Sequence, residues 1–232
     1  MAGLDDVKQD YVQAETLEAE LERWMAEVAP YQWRPVRPLR PARAALLVVD
    51  MNRPFVEPGG LLSAPSAGAM VPRIAQVVAA FRQARRPVLW LVQGHHSLEH
   101  DRGEHLATWW PVMLRAGTED VEMVAGLEPL PAEKVILKRR YSGFYQTDLE
   151  LTLRCLGVTE VVIAGVLTNV CPYATAVDAF MRDLDVYYLA DGTAAHNRRL
   201  HVAALQNLAA WCGAVVTVAE VCGWLGELMS DE

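Results

Sequence analysis

A carboxylate, an amine and a thiol stand at equivalent places in this 232-residue sequence, each just past or at the end of an apolar run. Asp50 follows the run 44–49, Lys138 closes the run 134–138, and Cys171 comes shortly after Gly165, where the run 161–165 ends. Behind Cys171, Pro172 suits the first position of a helix, because the N–H it lacks would have no partner there. Ala174, Val177, Phe180 and Met181 then recur at helical spacing. A thiol at such a helix start feels the positive end of the macrodipole, which favours the nucleophilic thiolate. A carboxylate that takes the thiol proton and an ammonium that steadies the thiolate complete what a cysteine nucleophile requires. Each residue alone also has a plainer reading: Asp50 as a turn residue, Lys138 as the surface end of an edge strand, Cys171 as a small buried side chain.

The elements that must position these groups follow from the hydrophobic pattern. Apolar runs at 44–49, 87–92, 134–138, 161–165, 186–190 and 214–218 read as six strands. Between and after them lie helical patterns at 71–86, behind Thr147-x-x-Glu150 (a capping-box spacing), at 200–211 and at 221–229. Strands that are apolar without alternation are those covered on both faces, so the pattern predicts a three-layer α/β/α fold around a mainly parallel six-stranded sheet. Ligands of such sheets bind beyond the carboxyl ends of the strands. That rim collects Asp50, Lys138, the thiol of Cys171, and the polar pair Gln93 and His95 behind the second strand. Ahead of residue 44, the stretch 4–28 carries Leu17, Leu21, Trp24 and Val28 on one helical face, followed by a Pro/Arg-rich connector expected to be extended. The domain division expected is 1–43 for this helix and arm, and 44–232 for the α/β domain. The apolar helix face needs a cover, either its own domain or a neighbouring subunit, and a homo-oligomer (dimer or tetramer) is the expectation it motivates.

Composition narrows the partners. With 52% hydrophobic residues the chain can bury a large core without metal or disulfide staples. Its formal charge of −8 argues against nucleic acid or an anionic membrane as main partner, although Lys138-Arg139-Arg140 could make a local basic pocket. No run approaches the ~18 apolar residues of a membrane span, and no basic and apolar leader opens the chain. The four cysteines are scattered, as in a reducing compartment. A cytoplasmic protein acting on a small molecule, without a cofactor, is the expectation.

The rim residues and their neighbours resemble the isochorismatase-like cysteine hydrolases. The likeness runs from about residue 44 to 221 and rests on Leu47-Val48-Val49-Asp50-Met51-Asn52 through Phe55, on Lys138 with Tyr141-Ser142-Gly143-Phe144, and on Gly165-Val166-Leu167-Thr168-Asn169-Val170-Cys171. Ala190-Asp191-Gly192-Thr193-Ala194 looks like the family motif after the fifth strand. The resemblance implies a triad of Asp50, Lys138 and Cys171, a cis peptide between Val166 and Leu167, and an oxyanion hole from the N–H groups of Leu167 and Cys171. It implies attack of the thiol on an amide or ureido carbonyl and a thioester-type intermediate. Phe55 and Tyr141 are expected to line the pocket, with Asn52, Gln93 and His95 as further substrate contacts.

Departures from the family pattern matter too. Asn52 stands where glutamine is common, one methylene shorter. Metal-dependent members carry Asp-x-His and another histidine near the first helix, and residues 56–72 contain neither Asp nor His. No metal site is therefore expected, and His95, His96, His100 and His105 read as loop or pocket residues. Members that cleave a vinyl ether often have glycine in place of the cysteine, so Cys171 points to C–N cleavage of an N-carbamoyl, ureido or amide compound. The alternatives are a C–O hydrolase of the isochorismatase type and a catalytically silent scaffold. The segment 94–131, with Trp109, Trp110 and Met113, is expected to be a partly helical cap or subunit contact.

Overall fold

The computed structural model describes residues 7–60, 62–110 and 112–230. Its centre is one six-stranded, wholly parallel sheet: β1 (Ala44–Val49), β2 (Val88–Gln93), β3 (Lys134–Lys138), β4 (Glu160–Val166), β5 (Asp185–Ala194) and β6 (Ala214–Val216). The order across the sheet is β3-β2-β1-β4-β5-β6. The chain therefore winds outward one way from β1 and then the other way from β4. The switch lies between β1 and β4, in register from Ala44 opposite Glu160 to Val49 opposite Gly165. Crossovers leaving in opposite directions open a crevice at the carboxyl ends of those two strands.

The helices are α1 (Leu17–Val28), α2 (Arg53–Val56), α3 (Ala67–Gln83), α4 (Glu104–Trp109), α5 (Leu149–Cys155), α6 (Cys171–Phe180), α7 (Arg198–Trp211) and α8 (Val218–Ser230). β1 and β4 are buried along their whole length, which matches their uninterrupted apolar sequences. On the sheet, α3 packs with α8, while α1, α6 and α7 form a second group. Gly165 makes the closest approach in the core. Its φ is +115°, and a Cβ there would sit 1.9 Å from the Val49 carbonyl oxygen, so only glycine lets β4 end where it does.

Several sequence expectations are corrected. The N-terminal helix spans Leu17–Val28, not 4–28, and residues 4–6 lie outside the described residues. Residues 8–13 are non-helical because their backbone is engaged elsewhere. Tyr11 and Val12 donate their N–H groups to Ser66 Oγ, and Gln9 donates to the His196 carbonyl. The stripe Leu17, Leu21, Trp24 and Val28 is buried in the same cluster as the sheet, so the chain's own body covers it. The connector is not wholly extended: Ala29–Tyr31 and Pro41–Arg43 form single tight turns, each with proline where its missing N–H is harmless. α3 begins at Ala67, before the expected 71, because Ala67 and Met70 extend its buried face. No capping box forms at α5. Asp148 holds the cap position, Thr147 Oγ1 accepts from Leu149 N, and Glu150 pairs with Arg154 and Arg182. β5 runs on to Ala194, with a bulge against β4 between Ile163 and Gly165, so the 190–194 motif lies within the strand rather than after it.

Candidate active site

Asp50, Lys138 and Cys171 meet at the switch-point crevice. Asp50 follows β1 with φ +52°, a left-handed conformation that aspartate tolerates better than most residues. Lys138 ends β3, two strands away, opposite Gln93 of β2. Its ammonium lies 2.7 Å from Asp50 Oδ2, and both side chains are wholly buried. Asp50 Oδ1 accepts the Gln93 N–H at 2.7 Å, and Oδ2 is the oxygen that faces the Lys138 ammonium.

Cys171 opens α6, with Val170 as the residue before the helix. The thiol interacts with both Asp50 and Lys138. Burial pushes the thiol well above its ordinary range; Lys138 pulls it down and Asp50 pushes it up again. Burial thus opposes the thiolate that the helix dipole favours. Burial works most strongly against the Lys138 ammonium, yet its interactions with Asp50 and Cys171 together outweigh burial and leave Lys138 raised. The peptide bond between Val166 and Leu167 is cis. Among the described residues no group accepts the N–H of Leu167 or of Cys171, while the N–H groups of Thr168 and Val170 between them are both satisfied.

Gln93 fixes the neighbouring protonation. Lys138 Nζ, a donor only, lies 3.1 Å from Gln93 Oε1. The amide nitrogen then faces His95 Nε2 at 3.0 Å, which must accept. His95 therefore carries its hydrogen on Nδ1, on the side of Asp101 Oδ1 at 3.6 Å. Burial holds this imidazole below its ordinary range, against the pull of Asp101.

A cavity opens above the thiol. Phe55, Gln93, His95 and Tyr141, singled out from sequence, line it together with Leu167 and Cys171. Asn52 does not. It is wholly buried, and its amide donates to the Asp120 carbonyl at 2.6 Å, tying the first loop to the segment 119–123. Sequence reasoning left unassigned the far wall, which Arg102, Leu106, Trp110, Val112 and Leu114 supply from the long segment after β2. The four-residue spacing of Leu106 and Trp110 was the available signal. Arg102 is buried, and one guanidinium nitrogen donates to the carbonyls of Trp110 and Val112. Trp110 also donates its indole N–H to Tyr141 Oη and meets Phe55 edge-on, closing an aromatic side of the cavity. Among the described residues, no three His, Cys, Asp or Glu side chains converge as metal ligands. His100, for one, faces Ser97 Oγ.

The family model described as the isochorismatase domain matches residues 44–220. The chain belongs to the isochorismatase family. It is 37% identical over 218 residues to the ureidoacrylate amidohydrolase RutB of Methylobacterium radiotolerans, covering 83% of this chain and 84% of that one. Among solved structures, a cysteine hydrolase from Pseudomonas syringae superposes with TM-score 0.80 at 30% identity, covering 84% of this chain and 99% of that one. The N-carbamoylsarcosine amidase of Thermoplasma acidophilum superposes with TM-score 0.67 at 28% identity, covering 76% and 96%. The three-layer fold around a parallel six-stranded sheet read from the apolar runs, and the isochorismatase-like form of it implied by the resemblance, are thus those of this chain.

Proposed function

We propose that the protein is a cysteine hydrolase that cleaves the C–N bond of a small N-carbamoyl, ureido or amide compound carrying an anionic group. The observation that carries this reading is the buried Lys138–Asp50 pair, 2.7 Å apart, beside a thiol that lines an otherwise mostly apolar cavity. Asp50 Oδ2 takes the Cys171 proton as Sγ attacks the carbonyl carbon. The new oxyanion accepts hydrogen bonds from Leu167 N–H and Cys171 N–H. Collapse expels the amine, which leaves with the proton held by Asp50. A thioester or carbamoyl thioester remains, and water, deprotonated by Asp50, releases the acid. Lys138 stays cationic throughout and keeps the Asp50 carboxylate and the incipient thiolate affordable in a dry site.

The amidohydrolase names of the relatives support C–N over C–O cleavage. Arg102 supports the anionic group: it is a buried cation on the cavity wall, hydrogen-bonded to two carbonyls and without a carboxylate partner among the described residues. Ammonia release from a panel of ureido acids and primary amides tests the reading. Wild type should release ammonia, and Cys171→Ala should lose about three orders of magnitude or more. Full activity in Cys171→Ala would overturn the nucleophile assignment.

Two coarser expectations join this proposal. No helix among the described residues is long and apolar enough to cross a membrane. A cytoplasmic setting is supported by four free cysteines, Cys155, Cys171, Cys212 and Cys222. The homo-oligomer no longer rests on the N-terminal stripe but on exposed Phe180, Met181 and Trp211. Light scattering of Met181→Asp/Trp211→Glu should report a smaller species than wild type, and equal masses would remove that support.

A further inference from the structure

Thr168 stands between the Leu167 N–H and the nucleophile, and all three of its polar groups are held from behind. Its N–H donates to the Ala194 carbonyl at 2.8 Å, its carbonyl accepts from Tyr188 Oη at 2.7 Å, and its Oγ1 lies 2.8 Å from His201 Nδ1. Both Thr168 and His201 are wholly buried. The imidazole is wedged against Trp24, edge-on with ring centroids 4.5 Å apart, and against Tyr11 at 5.7 Å. Tyr11 in turn accepts the Ala195 N–H at 3.1 Å. Neither Thr168, His201, Trp24 nor Tyr11 lines the cavity.

Such a network is expensive as mere packing. A valine facing a leucine would fill comparable space without desolvating a hydroxyl and an imidazole. What the polar pair provides is direction, since a hydrogen bond fixes the rotamer and depth of Thr168 where an apolar contact would let the turn slide. Trp24 and Tyr11 both precede residue 44 and so lie outside the stretch matched by the family model.

We propose that His201 is a positioning residue for the oxyanion site: through Thr168 it sets the Leu167 N–H, and the N-terminal segment, through Trp24 and Tyr11, sets His201. This rests on the reading of Leu167 as an oxyanion donor. Residues 7–28 are then part of the apparatus that holds the site, although none of them reaches the substrate. The neutral state of the ring fits, because burial and then Arg198 push His201 down to about 3, leaving Nδ1 to Thr168 across the working pH range.

The test separates oxyanion binding from thiol reactivity and needs no natural substrate. Acetaldehyde adds the Cys171 Sγ–H across its C=O: a C–S bond forms and the thiol proton passes to the former carbonyl oxygen, which sits in the hole. Iodoacetamide alkylation of Cys171, resolved by peptide mass spectrometry, reports the thiol, and protection by acetaldehyde reports the hole. In Thr168→Val and His201→Leu the half-protecting aldehyde concentration should rise about tenfold or more, while the unprotected alkylation rate stays within about twofold. Thr168→Ser should restore the wild-type value, and Trp24→Ala should shift protection in the same direction. Unchanged protection in Thr168→Val, or equal losses in both readouts, would overturn the proposal. If His201→Leu does not fold, the Thr168→Val and Thr168→Ser pair decides on the same terms. Protection that is absent even in wild type would sink the oxyanion reading beneath it, and this proposal with it. Ammonia release tests the C–N reading separately.

Discussion

At the scale of single residues, the site solves the problem of keeping a carboxylate and an ammonium in a place without water. Asp50 and Lys138 neutralise each other, and Gln93 satisfies one more atom of each. Removing one partner leaves the other charge buried and unpaired, so Lys138→Met should cost about 3–5 kcal/mol of stability as well as activity. Chemical denaturation monitored beside turnover checks this; a fully stable Lys138→Met would show that the pair is not desolvated as described. Cys171 makes a second claim at this scale. Because burial raises its thiol, the site-resolved alkylation rate of Cys171 should keep climbing above pH 9 instead of levelling at neutral pH. A plateau below pH 8 would mean a resting thiolate. Arg102 makes a third. Arg102→Leu should raise KM for an acidic substrate by about tenfold or more and spare its neutral amide analogue, a difference that steady-state kinetics on the pair reads directly.

At the scale of elements, the reversal of strand order between β1 and β4 brings residues 50 and 171 together, and β2 lends Gln93 to bridge across to β3. The close approach at Gly165 is the tightest condition on that geometry. Gly165→Ala should destabilise the fold by about 3 kcal/mol or more, since the added methyl would collide with β1 backbone that cannot rotate away. A thermal midpoint equal to wild type would contradict it. What the sequence made legible follows the same physics. Strands buried on both faces write themselves as apolar runs, and the polar residue that ends each run marks the rim, so Asp50, Lys138 and Cys171 could be read before any coordinates. Features settled by distant partners could not. The start of α1 depends on Ser66 and His196 taking up the backbone of residues 9–12, and the α5 cap depends on Arg182 drawing Glu150 away. Arg102 was illegible for a related reason: it belongs to a segment whose role is defined by the cavity it faces rather than by a period of its own.

At the scale of the whole molecule, the N-terminal segment and the α/β body share one core, and the pH dependence of stability should reveal the joint. His201, wedged under Trp24, is held down to about 3 by burial, whereas in the unfolded chain it titrates near the ordinary 6.5. Between those values the unfolded state binds a proton that the folded state refuses, so stability is complete above 6.5 and declines as the pH falls. His95 and His196, also lowered by burial, act in the same direction. At the alkaline end the sign reverses. Lys138 and Cys171 are raised in the fold, so their contribution is complete below the unfolded values and is lost as the pH climbs through and beyond them. The result is a plateau between about pH 6.5 and 9 with a limb on each side. On the acid limb His201 alone should remove about 2 kcal/mol between pH 6.5 and 5, at about 1.4 kcal/mol per pH unit. Urea unfolding of wild type and His201→Leu at pH 7 and pH 5 measures that limb. The variant should be weaker than wild type at pH 7 but lose visibly less on acidification. If both proteins lose the same amount, His201 is not the neutral, desolvated ring that the Trp24 and Tyr11 packing makes it, and the N-terminal segment holds the body by apolar contact alone.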